Sequence, residues 1–73
     1  MKTETAYYVT AGNNSTELGR VGETNSLLGA KRIGRDAVRR CLPNAEGSYR
    51  VKTQDGETVA SEERSIRTGF KWR

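Results

Sequence analysis

The stretch from Asn25 to Leu42, NSLLGAKRIGRDAVRRCL, constrains the fold of this chain more than any other. It is the one segment whose apolar residues recur at helical spacing. At about 100° per residue, Leu27, Ala30, Ile33, Gly34, Ala37, Val38 and Cys41 fall on one arc of about 140°. Lys31, Arg32, Arg35, Asp36, Arg39 and Arg40 fill the opposite half. Thr24, Asn25 or Ser26 can cap the start by accepting free backbone N–H groups. Pro43 ends the helix, because the residue before a proline is pushed out of the α region. Ala30, Gly34 and Ala37 give the apolar arc a low profile, so the helix can lie close against a sheet.

The flanking segments read as strands. Tyr7, Val9 and Ala11 alternate with Tyr8 and Thr10, the two-residue period of a strand. Gly12-Asn13-Asn14 supplies a turn, and Leu18 to Val21 returns as a short strand weakened by Gly19 and Gly22. After the helix, Tyr49, Val51 and Thr53 alternate with Arg50 and Lys52. Asp55-Gly56 signals a hairpin. A two-residue turn there would pair Val51 with Ala60 and expose Val59. A three-residue loop, Gln54-Asp55-Gly56 with Gly56 left-handed, sets Val51 opposite Val59 and buries both valines, so it is the expected geometry. A bend at Arg67-Thr68-Gly69 precedes a last strand with Phe70 and Trp72 on one face and Lys71 and Arg73 on the other. The expected fold is α+β: a single antiparallel sheet of about five strands, in the order β-β-α-β-β-β, packed against one amphipathic helix. Residues 1–73 form one domain. At 73 residues, with 33% apolar and 30% charged, the core is small and its stability modest.

Composition narrows the chemistry. Nucleophilic catalysis needs a nucleophile and a base to activate it, and the chain has no histidine. Cys41, the single cysteine, falls on the apolar arc and reads as a buried packing residue. It permits no internal disulfide, which fits a reducing cytosol. Glu62 and Glu63 are strand neighbours on opposite faces and make a poor metal pair. The glycines form no phosphate-cradling loop. No enzyme activity and no cofactor or metal is expected. No apolar run has the length of a membrane span or a signal-peptide core.

What remains is charge. The net charge of +4 is uneven, because the segment from 25 to 42 holds five cations and one acid. Lys31, Arg35 and Arg39 step along one line of the helix, flanked by Arg32 and Arg40, with Asp36 as a local salt-bridge partner. Arginine suits bidentate contacts with phosphate or carboxylate. These five residues are the first candidate contact surface. The second gathers Arg64, Arg67 and Lys71 around the late aromatics, with Arg50 and Lys52 on their strand and Tyr8 on the outward face of the first. Basic residues interleaved with aromatics can bind single-stranded nucleic acid.

Taken together, Ala6-Tyr7-Tyr8-Val9, Ala30-Lys31-Arg32-Ile33, the Gly-led strand with Val51, Gly56 followed by Val59-Ala60, and Trp72 give a layout that resembles the small anti-CRISPR proteins of bacteriophages. The likeness is to a type I-F inhibitor built from a five-stranded antiparallel sheet and one helix. The resemblance implies a stoichiometric inhibitor in the host cytosol. It would bind the guide-RNA-loaded CRISPR surveillance complex, a ribonucleoprotein, and keep target DNA from it. The basic face differs from the acidic, DNA-mimicking inhibitors. Two other readings fit the residues: a direct DNA- or RNA-binding phage regulatory module, and a subunit whose sheet edge forms a homodimer.

Overall fold

In the computed structural model, which describes residues 5–65, 67, 71 and 72, one of the three candidate residues, Ser26, caps the helix, and the other two bond elsewhere. The helix α1 spans Leu27–Cys41, and Ser26 is its N-cap, accepting the Gly29 N–H on Oγ at 3.2 Å. Thr24 Oγ1 accepts the Ser26 N–H, and Asn25 Oδ1 accepts the Ala6 N–H at 2.7 Å. The last contact ties the start of the first strand to the start of the helix. At the other end, the Leu42 N–H donates to the Val38 carbonyl at 2.9 Å, and Arg39 and Arg40 lie where the helix dipole favours cations.

The strands are β1 (Tyr7–Gly12), β2 (Glu17–Thr24), β3 (Gly47–Thr53), β4 (Thr58–Ser65) and β5 (Lys71–Trp72). They form one antiparallel sheet in the order β2-β1-β3-β4-β5, and the fold is α+β. Phe70, Thr68, Gly69 and Arg73 lie outside the described residues. The helix packs over β1, β2 and β3. Val9, Ala11, Ala30, Val38, Leu42, Tyr49 and Val51 make the buried core. Gly34 sets how close the layers come, because a Cβ there would collide with the Cβ and Cγ of Tyr49. A glycine at the contact lets the broad tyrosine ring sit under the helix backbone.

Two residues of the predicted apolar arc are not in the core. Leu27 is exposed, and Cys41 is exposed rather than buried. Angular position around a helix says nothing about where the helix ends, and Cys41 is its last residue. The next residue, Leu42, leaves helical geometry at φ −131° and ψ 57° and turns inward. It packs over Gly47, where a Cβ would stand 3.0 Å from Leu42 Cδ1.

The hairpin between β3 and β4 has the expected loop and an unexpected register. The Thr53 N–H bonds to the Glu57 carbonyl, the Gly56 N–H bonds to the Thr53 carbonyl, and Gly56 has φ +90°. That is a three-residue loop over Gln54-Asp55-Gly56. The ladder then slips: Lys52 faces Thr58, but Val51 faces Ala60, not Val59. Val59 is the extra residue of a β-bulge and stays 42% exposed. From that point Ala60, Glu62 and Arg64 look toward the helix side, and Ser61 and Glu63 look away. Strand β2 carries two similar irregularities, and its extra residues Val21 and Leu18 pack against the core.

Candidate functional site

The bulge in β4 has a direct chemical result. It sets Glu62 opposite Tyr49, and both meet Arg35 from the helix. Arg35 Nε and Nη2 donate to the two Glu62 oxygens at 3.0 and 2.8 Å. The Tyr49 hydroxyl donates to Glu62 Oε1. The hydrogen bond from Arg35 is the main reason that the Glu62 carboxyl titrates below the usual range, and Lys31 adds to the lowering. Burial, followed by the bond to Glu62, pushes the Tyr49 hydroxyl well above the ordinary tyrosine range. Trp72 closes the group, edge-on to Tyr49 with ring centroids 5.7 Å apart and under the guanidinium of Arg35.

This group braces the fold. All of Glu62's short contacts are to side chains of the same chain, and it holds the uncovered strands β4 and β5 to the helix. Arg64 acts in the same way. Expected at a contact surface, it is buried at 6% exposure. Its guanidinium donates to the carbonyls of Leu42 and Ala45, just past the helix C-terminus. Strand alternation turned it inward once Val59 had bulged.

The predicted helix surface is therefore divided. Arg35 is turned toward the sheet by Glu62 and keeps only part of its charge toward solvent. Arg40 pairs with Asp36 at 3.1 Å, both largely exposed. Lys31 is half-buried. Arg32 and Arg39 are exposed, and no ion-pair partner reaches them among the described residues. Together with Arg35 and Asp36 they line one shallow groove along the helix.

The second set is also divided. Tyr8, Arg50 and Lys52 share the sheet face away from the helix, because Tyr8 pairs with Lys52 and Thr10 pairs with Arg50. Lys71 pairs with Ser65 further along the sheet. Arg67 is exposed after β4, and its N–H bonds to Ser65 Oγ. Arg20 joins this face opposite Thr10. Its guanidinium stacks over the Tyr8 ring at 4.1 Å. Arg20 does not stand out in the sequence, because the bulges in β2 hide its alternation. Among the described residues no group of three or more His, Cys, Asp or Glu could hold a metal ion, and no helix is long and apolar enough to cross a membrane.

Comparison with known protein families, with curated proteins and with solved structures finds no match to this chain.

Proposed function

We propose that this chain is a non-enzymatic binding protein that attaches to a partner containing nucleic acid. The form that the anti-CRISPR resemblance adds is a bacterial guide-RNA-loaded surveillance complex, held so that target DNA cannot enter. The observation that carries this reading is the outer groove of α1. Arg32 and Arg39 stand exposed there with no ion-pair partner among the described residues, while Asp36 is occupied by Arg40. Guanidinium groups left to solvent in this way suit phosphate or carboxylate on a partner.

The test is charge reversal at those two positions. Arg35 is a poor choice for it, because its loss would also undo the contact with Glu62. Arg32→Glu combined with Arg39→Glu should leave the thermal midpoint nearly unchanged. It should weaken capture of a purified type I-F surveillance complex, read by surface plasmon resonance, by at least about tenfold. Binding of the complex that is unaffected by the double reversal, or no binding by the native chain, would sink this reading.

A further inference from the structure

The sheet has one face under the helix and one face that no described element covers. Cross-strand pairing fixes what stands on the open face. One row runs Glu23, Tyr8, Lys52, Thr58 and the next runs Arg20, Thr10, Arg50, Ser61, in the strand order β2-β1-β3-β4. The rows combine three cations, one aromatic ring and three hydroxyl side chains. Their acid, Glu23, is already engaged by Arg20 at 3.5 Å. Glu63 lies further along, opposite Ser48.

We infer that this open face binds a single strand of nucleic acid, laid across β2, β1 and β3, with a base stacked on the Tyr8–Arg20 pair. Three observations carry the inference. First, the guanidinium carbon of Arg20 lies over the Tyr8 ring, 4.1 Å from its centroid. A ring topped by a guanidinium is a stacking surface for an unpaired base. Second, Arg20 and Arg50 flank Thr10 from the two neighbouring strands. They are about 10 Å apart at the backbone, twice the strand spacing, so one extended chain can meet both. Third, every side chain of the two rows except the Tyr8 ring is charged or carries a hydroxyl, and a shallow depression at the end of the sheet is lined in part by Thr10, Asn13, Ser48 and Arg50. A duplex keeps its bases stacked on one another, so it can use the cations here but not the ring.

This site is separate from the helix groove and does not need that reading to hold. The shared chemistry is an unpaired base on a phosphate backbone, which RNA and single-stranded DNA both offer. The experiment uses the full chain with fluorescently labelled oligouridine, oligothymidine and a mixed-sequence duplex, each about 12 nucleotides long, followed by anisotropy at several salt concentrations. The expected result is binding of one or both single strands in preference to the duplex. The slope of log affinity against log salt should be about −2, as for about three phosphate contacts. Tyr8→Ala should weaken single-strand binding by about five- to a hundredfold, while Tyr8→Phe keeps it. Arg50→Gln should reduce the slope. The relative affinities for oligouridine and oligothymidine tell RNA from DNA. The inference is overturned if neither single strand binds at low salt, if Tyr8→Ala changes nothing, or if poly-glutamate competes as well as the oligonucleotides. Any of these with capture of the surveillance complex intact removes this inference alone. Loss of that capture under Arg32→Glu with Arg39→Glu, while oligonucleotides still bind, leaves both standing as separate sites.

Discussion

Two halves of the same sheet are held in opposite ways. Strands β2, β1 and β3 lie under the helix and are fixed by shape: valines, alanines and a tyrosine ring fitted beneath Gly34. Strands β4 and β5 run beyond the helix and are fixed by charge and aromatics, through Arg35–Glu62–Tyr49 and through Arg64 on the carbonyls of Leu42 and Ala45. The contrast shows how a chain of this size widens its sheet past the reach of one helix. Few large apolar side chains remain for the flank, so polar groups with well-aligned partners take their place. Such groups give directional contacts, and they are costly when one partner is lost.

The largest effect should come from breaking the half held by shape. Gly34→Val puts branched carbon into the space of the Tyr49 ring, close to that side chain's rigid base. Overpacking of this kind costs about 3 kcal/mol, and thermal unfolding followed by circular dichroism should show a fall of about 15 °C. An unchanged midpoint would mean that the layers are not in close contact there.

A smaller effect with a distinct signature should come from the flank. Glu62→Gln keeps the size and removes the charge, and should cost about 1 kcal/mol at neutral pH, since Arg35 is partly solvated. The pH dependence has a definite sign. Glu62 titrates lower when folded, so its contribution is present above the ordinary glutamate range near pH ~4.3 and is lost as pH falls below it. Tyr49 titrates higher when folded, so its contribution is present below about pH 10 and is lost as pH rises past that. Denaturant midpoints measured across pH should therefore form a plateau between about pH 5 and about 9. Glu62→Gln should flatten the acid side. If the acid side keeps its slope in the variant, another carboxylate carries it.

The smallest effect marks where charge stops mattering to the fold. Asp36→Asn removes an ion pair whose two side chains are mostly in water. The same denaturant measurement should move by less than about 0.5 kcal/mol. A change as large as that of Glu62→Gln would erase the distinction between a solvated pair and an anchored one.

Much of the covered half was legible in the sequence. The helix was marked by its period, its start by the cap candidates Thr24, Asn25 and Ser26 and its stop by Pro43, and Tyr7, Val9 and Ala11 announced their inward face. The flank was less legible, for a physical reason. Val59 and Ala60 are the only apolar residues in β4, so hydrophobic counting could use only them to set the register, and it chose to bury the larger. The real determinants were polar: Glu62 had to meet Tyr49 and Arg35, and Arg64 had to meet carbonyls left over at the helix end. Burial rules applied to single residues do not see a contact that requires three partners. The helix surface shows the same limit. Spacing found its five cations but could not tell that Glu62 would turn Arg35 inward. The open face was half legible, with Tyr8, Arg50 and Lys52 in view and Arg20 hidden by irregular pairing.

The extra place taken by Val59 makes the length of β4 a matter of parity. Which side a strand residue faces depends on whether its count from a fixed point is odd or even. The inserted valine changes that count for every residue up to Ser65. Losing Val59 itself would only close the bulge: Thr58 and Ala60 would become neighbours, still opposite Lys52 and Val51, and Glu62 and Arg64 would keep their side. Gaining one residue between Ala60 and Glu62 has no such outlet, and in an unbroken ladder it would exchange the sides, sending Glu62 and Arg64 to water. The bulge thus gives this strand slack in one direction, so its length can fall by one residue far more easily than it can grow by one.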